Sequence, residues 1–401
     1  MKIWLADLTY TQQSISSDVV PAAIGMIAEY TEQRLPSLEK IKLFKYPEDL
    51  SEELSKSPPD LIGFSNYIWN SSLTDSFMRQ IKKIYPDTLT VAGGPNFPTD
   101  ENEQKFYLKN RPWIDYYIIK ESEHAFSVLI ENLINKVSAQ ELLSTPNLIT
   151  LKGGNFFSSK KIERITDLTK IPSPYLSGRL DEFLDGKLLP VTQTNRGCPF
   201  TCTFCVDGAD DVNRVNQFGL DRVGTELEYI GKHVPNNVHS LHISDLNFGM
   251  YPRDLDICDS IVDGQKKYDY PHRIISTTGK NKKERIIKAI EKSGFKPGVD
   301  ISICLDVAAN ELKKNKKLYY YSQIIKKYPI RSIEDPFKED DWESWKKLSK
   351  NTNIQIVGDD LFATNIKRLK KGIDEKSANA ILIKLNQIGT VTETLEVVEE
   401  A

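Results

Sequence analysis

Residues 284–306 read ERIIKAIEKSGFKPGVDISICLD: a basic helix, a turn set by Gly294, Pro297 and Gly298, then a strand-like run ending in Asp306. Strand and helix patterns alternate on both sides of this stretch. Before it stand the strand-like runs LLPVTQT, VHSLHISD and HRIISTT, and from its end onward DISICLD, IRSIED, IQIVGDD and AILIKLN, with amphipathic helical segments between them. Seven consecutive βα units predict a barrel-type domain whose working residues lie at the carboxyl ends of the strands. Three of the seven precede the quoted stretch and four follow, so it is either a connection inside one barrel or a seam.

Further outward, residues 1–145 alternate again: KIWLAD, KIKLFKY, DLIGFSN, TLTVAGG and DYYIIK are strand-like, with helical patterns between. In SLTDSFMRQIKKIY, Phe77, Met78, Ile81, Ile84 and Tyr85 recur at helical spacing and are expected on one buried face. Five such units predict a Rossmann-like, doubly wound parallel sheet. Residues 146–187 change character: a hairpin pattern around Gly153-Gly154, then the Pro-punctuated LTKIPSPYLSG, read as a linker with some structure of its own. The expected division is therefore 1–145, 146–187, 188–294 and 295–401, an α/β chain with a Rossmann-like domain followed by a hybrid, incomplete TIM-type βα barrel.

The chain has 401 residues, 39% hydrophobic and 27% charged, with a net charge of -3. That is room for two or three globular domains, and lysine is spread along the chain without a basic face, which argues against nucleic acid. No apolar run is long enough to span a bilayer and MKIWLADLTY lacks a signal-peptide core, so a cytoplasmic protein without a membrane partner is expected. Of five cysteines, Cys198, Cys202 and Cys205 fall within one short loop; with no export signal, metal or redox use outweighs a disulfide framework. Cys258 and Cys304 read as small buried hydrophobes.

NRGCPFTCTFC (195–205) places three thiols in a C-x3-C-x2-C spacing directly after a strand. Three thiolates can hold three corners of an iron–sulfur cube, and no fourth cysteine or suitable histidine lies near to complete a zinc site. The loop, with Phe204 before its last cysteine, resembles the radical S-adenosylmethionine (SAM) family. The resemblance covers about residues 1–290. HISDLNFGMYPRD (242–254) and STTGKN (276–281) are similar to segments of those members that carry an N-terminal cobalamin-binding domain. It implies a 4Fe-4S cluster on Cys198, Cys202 and Cys205, and SAM on the fourth iron, cleaved reductively to a 5'-deoxyadenosyl radical. It further implies a flavodoxin- or ferredoxin-like electron donor, a small-molecule substrate, and Asp245 and Asn247 facing cluster and SAM. Asp245 reads equally well as a cap or turn residue. In the N-terminal domain VAGGPNF (91–97), with Gly93 and Gly94, resembles the glycine turn that meets the corrin, and KESEHAF (120–126) stands where such domains carry a Gly-Glu-Gly-Glu turn. The Asp-x-His-x-x-Gly motif for a lower cobalt ligand is absent, and His124 is the sole histidine before residue 233. Two readings stay open: cobalamin without a histidine on cobalt, or a domain that keeps the fold and not the ligand.

After the stretch at 284–306 the resemblance changes. ICLDVAANE (303–311), SIEDPFKEDDW (332–342), QIVGDDLFATN (355–365) and LIKLNQIGT (382–390) are similar to four consecutive strand ends of enolase, the glycolytic lyase phosphopyruvate hydratase. The resemblance implies that Asp306, Glu334 and Asp359 bind Mg2+ and that Lys384 removes the proton alpha to the substrate carboxylate. Independently, three acids at the ends of successive parallel strands repel one another without a cation, and hard oxygen donors suit magnesium. A lysine beside a divalent ion is expected to lose its proton more readily. Enolase also carries a catalytic glutamate in an N-terminal domain, an earlier acid in its barrel, and late strands holding phosphate and carboxylate. None of these is expected here, so the fragment should not turn over 2-phosphoglycerate.

The helix KERIIKAIEKSG fits both resemblances, which places the seam between Arg285 and Gly294, with enolase-like residues from Phe295. Three functions follow: a radical SAM protein with a substrate unknown, an enolase, or a fusion or assembly product with no selected function. A single DNA molecule read across codons 284–306 separates the last from the others. A join inside a helix between parallel strands preserves the right-handed crossover. A barrel that is open or poorly packed between HRIISTT and DISICLD is expected, since barrel layers draw on alternate strands.

Overall fold

In the computed structural model, residues 1–12, 15, 17–159, 164–200, 213–278, 283–292, 296, 299, 302–311 and 318–401 are described. They divide into two compact units, Met1–Ala289 and Ile290–Ala401.

The first unit begins with a sheet whose strands are buried on both faces, as continuous apolar runs in parallel sheets are. β1 (Ile3–Ala6), β2 (Lys42–Phe44), β3 (Leu61–Ser65), β4 (Leu89–Gly93) and β5 (Tyr116–Ile118) pair in the order β2-β1-β3-β4-β5, all parallel. Alternate residues serve opposite faces: Ile3 and Leu5 join one apolar cluster, Trp4 and Ala6 the other. This is a doubly wound order with its switch point between β1 and β3. The helix Ser71–Ile84 buries Thr74, Met78 and Ile81, but Ile84 is 61% exposed, against the expectation of one shared face. It lies six residues after Met78, about 240° around the helix.

The hairpin around Gly153-Gly154 forms β6 (Leu148–Lys152) and β7 (Asn155–Ser158), with both glycines at positive φ. β6 pairs antiparallel with β5. Part of the segment read as linker thus extends the sheet to seven strands, covering the edge that β5 would otherwise leave open.

Still within this unit, β8 (Val191–Thr192), β11 (Ser240–Phe248) and β12 (Arg273–Thr278) make a parallel sheet in the order β12-β11-β8. A short antiparallel pair, β9 (Asn195–Arg196) with β10 (Asn216–Gln217), brackets the cysteine segment. Two-residue strands carry no alternation, so no sequence pattern announces this pair.

The second unit holds β13 (Ile303–Asp306), β14 (Ile330–Glu334), β15 (Gln355–Gly358) and β16 (Ala380–Ile381), parallel and in sequence order. Its own core is built on Tyr321, Ile333, Trp345, Ile356 and Leu361. All seven expected barrel strands are present. They form ladders of three and four strands, and among the described residues the barrel is not closed.

Candidate functional site

At the carboxyl end of the three-stranded sheet, Asp245 is 1% exposed. Its Oδ1 accepts from the backbone N–H of Thr194 at 2.7 Å and of Asn195 at 3.2 Å. Its Oδ2 accepts from Asn195 Nδ2 at 2.7 Å and from the Thr194 hydroxyl. Burial pushes the carboxyl up to about 6 despite these donors. Asp245 therefore fixes the chain between β8 and β9, immediately before Cys198. Two residues on, Asn247 Nδ2 donates to Cys198 Sγ at 3.2 Å. Sequence positions 245 and 247 thus share the cysteine end of β11 but do different work: one pins the backbone, the other meets a thiol. Cys202 and Cys205 lie outside the described residues.

At the carboxyl edge of the doubly wound sheet, Gly94 has φ +126° and a Cβ there would stand 2.6 Å from the Asn66 carbonyl oxygen. Gly93 accepts from Asn66 N–H at 2.6 Å. These glycines let the ends of β3 and β4 approach, and Asn66 then donates to Asn96 O, Tyr107 Oη and Tyr117 Oη at 2.9 to 3.0 Å. The loop after β3 carries Tyr67 stacked on Trp69 at 4.6 Å, with Ile68 79% exposed. An aromatic and aliphatic rim of this kind, beside the switch point, fits a flat macrocycle face. His124 approaches Tyr30 Oη at 3.4 Å through Nδ1.

In the second unit, register sets Asp306 opposite Glu334. Oxygens of Glu334, Asp335 and Asp359 lie within 4.8 Å of one another. Two of the three expected acids therefore converge, and the third place belongs to Asp335, the next residue in SIEDPF. Asp335 sits at φ +40° and accepts from the backbone N–H of Asp359 at 3.0 Å and of Asp360 at 2.9 Å. Asp306 accepts from Ala308 N–H at 3.0 Å. Burial together with Asp306, Asp359 and Asp335 raises Glu334 to about 7, and burial raises Asp335 to about 6. Crowded hard oxygens whose charged forms resist coexistence fit a divalent cation. Lys384 Nζ donates to Asp359 Oδ2, and Gln387 Nε2 to Asp359 Oδ1 at 2.8 Å. On these residues alone the Asp359 carboxylate holds the Lys384 ammonium above its ordinary range. This is the opposite of the fall a neighbouring cation would produce, because the nearest charge to the ammonium is an anion.

Residues 12–130 match the B12 binding domain family, and residues 314–401 match the C-terminal TIM barrel domain of enolase. The chain is a chimera. An enolase of Pelagibacter ubique (strain HTCC1062) is 59% identical to it over 131 residues, 29% of the chimera and 31% of the relative, so the chimera spans about a third of that enolase's length. Among solved structures, the cobalamin-dependent S-adenosylmethionine radical enzyme OxsB with aqua-cobalamin and S-adenosylmethionine bound has a TM-score of 0.57 at 16% identity, covering 100% of the chimera and 55% of OxsB. The radical S-adenosylmethionine methyltransferase TsrM from Kitasatospora setae, with cobalamin and a 4Fe-4S cluster bound, has a TM-score of 0.54 at 13% identity, covering 89% of the chimera and 69% of TsrM. At such identities the likeness is one of fold. No helix among the described residues is long and apolar enough to cross a membrane.

Proposed function

We propose that the first unit of the chimera is a radical SAM protein with a cobalamin-type domain. The observation that carries this is the Asn247 contact to Cys198 at the end of a strand whose Asp245 locks the approach to a C-x3-C-x2-C loop. Cys198, Cys202 and Cys205 would each hold one iron of a 4Fe-4S cluster. A cluster bound there supplies the electron for reductive cleavage of SAM. The residues of the chain do the rest: Asn247 orients the Cys198 sulfur, Asp245 keeps Thr194 and Asn195 in place, and the Tyr67–Trp69 rim offers a surface to the corrin. A small-molecule substrate, a flavodoxin- or ferredoxin-like donor and a cytoplasmic setting belong to the same proposal. Anaerobic reconstitution with iron and sulfide should load about four irons per chain. Cys202→Ala should abolish this; unchanged iron uptake by that variant would refute the reading.

A second reading is favoured by the Glu334, Asp335 and Asp359 oxygens. The enolase-type unit would bind Mg2+ through them, with Lys384 beside them as the base. Because the chimera spans about a third of the enolase relative, we expect metal binding without dehydration of 2-phosphoglycerate. Magnesium-dependent ultraviolet absorbance from phosphoenolpyruvate, lost in Lys384→Ala, would reverse that expectation.

A further inference from the structure

The cysteine segment is closed by a stem, β9 against β10, with Arg196 opposite Asn216 and Asn195 opposite Gln217. The first strand of this stem, and the chain two residues before its second, are tied to one short stretch of the cobalamin-type domain: the turn after β5 and the first residue of the helix Glu123–Ile134. On the upstream strand, Arg196 Nη2 donates to Glu123 Oε1 at 2.6 Å and Nε donates to Gln193 Oε1 at 2.9 Å. On the downstream side, Arg164 Nη1 donates to the carbonyl of Arg214 at 3.0 Å, and its Nε to Glu121 Oε1 at 3.0 Å. Glu121 Oε2 accepts from the Ile165 N–H at 2.7 Å. The charged side chains are largely out of water: 11% and 5% exposed for Arg196 and Glu123, 13% and 16% for Arg164 and Glu121.

Ion pairs buried to this degree add little net stability compared with apolar packing, but they admit few geometries, and losing one partner strands the other. Their placement matters more than their number. Two carboxylates, two residues apart, hold Arg196 directly and the Arg214 carbonyl by way of Arg164, and Cys198 lies two residues beyond Arg196.

We propose that Glu121 and Glu123 are positioning residues that clamp the stem and so set where Cys198 is presented. The consequence for a cluster rests on the radical SAM reading; the clamp itself does not. It couples the sheet edge of the first domain to the cysteine loop through Arg196 and Arg164.

The test uses the metal-free full chain and iodoacetamide, with labelling followed peptide by peptide in a mass spectrometer. Cys258 is buried as its apolar helix suggests, whereas Cys304 is exposed, against the expectation of a buried strand residue; Cys304 is therefore the internal reference and Cys258 the reporter of folding. Glu123→Gln and Glu121→Gln should each raise the Cys198 rate relative to Cys304 roughly tenfold, the opening expected when a charge-assisted hydrogen bond is lost. Cys258 should stay protected, and Glu123→Asp should recover part of the parental rate. An unchanged Cys198 rate in both Gln variants overturns the clamp. Should Glu123→Gln expose Cys258, the partly solvated Glu121→Gln carries the decision alone. In reconstituted samples the Gln variants should keep the parental iron content and show an altered electron paramagnetic resonance signal of the reduced cluster; a superimposable signal counts against the proposal. A parent chain that takes up no iron, with Cys198 labelling still faster in the variants, overturns the radical SAM reading and sustains the clamp.

Discussion

Asp245 shows how one residue can be found in a sequence while the partners that define its work cannot. Its position at the end of a strand was legible, and so was a choice between facing a ligand and holding a turn. The four donors from Thr194 and Asn195 were not, because they come from a strand some fifty residues away and depend on which barrel strands are neighbours. The lock has a pH signature. The folded carboxyl titrates near 6 rather than 3.8, so the folded state binds the proton more tightly than the unfolded chain does. Stability is therefore greatest below about pH 4 and falls as pH rises through about 6, by about 3 kcal/mol from this group. Urea unfolding of Asp245→Asn should lack that component, giving a flatter stability profile than the parent between about pH 4 and pH 6. Parallel profiles for the two proteins would show that Asp245 does not titrate in the fold. Gly94 is the complementary case: the glycine pair was legible as special, and its reason is the Asn66 carbonyl that a side chain would strike.

Elements were easier to read than contacts. Each barrel strand was visible as an apolar run bounded by turn residues, and the longer helices between them by their period, since both signals are local; the four-residue helix Leu385–Ile388 is too short to show one. What locality cannot supply is which acids converge. Glu334 and Asp359 end adjacent strands and meet; Asp306 ends a third and does not join the oxygens grouped within 4.8 Å, whereas Asp335 does. The left-handed backbone at Asp335 turns its carboxylate toward the Asp359 and Asp360 amides, a conformation no residue pattern announces. At the scale of the β14 and β15 ends, Mg2+ should stabilise the second unit, by about 2.7 kcal/mol at a concentration ~100-fold above Kd. Thermal unfolding with and without the ion should show this gain, and Glu334→Gln should remove most of it. A gain of equal size in the variant would place the ion elsewhere.

Across the whole molecule, the composite origin was legible because each half carries its own ordered set of motifs, and the units of the fold divide within the helix Lys283–Lys292 that suits both. An opening between HRIISTT and DISICLD was legible from the mixed parentage of the strands, since interior layers draw on alternate strands, and among the described residues the barrel is not closed. Each unit has its own buried core. Ile333→Ala, at a site 0% exposed in the second unit, should cost 2 to 5 kcal/mol, roughly the range for buried large-to-small changes. Hydrogen exchange should then rise in peptides from 302–401 while peptides from 1–289 keep their protection; equal loss in both would mean the units unfold together. The four-stranded sheet leaves β13 and β16 as its outer strands. Flanks of that sort present rows of peptide groups that a strand from a neighbouring molecule can extend, the geometry from which swapped oligomers and fibrils grow. β16 is two residues long and β13 is four, ending in the charge of Asp306, and short charged flanks are poor templates. Among the described residues, brevity and charge at those two flanks are what guard the second unit against recruiting a neighbour's strand.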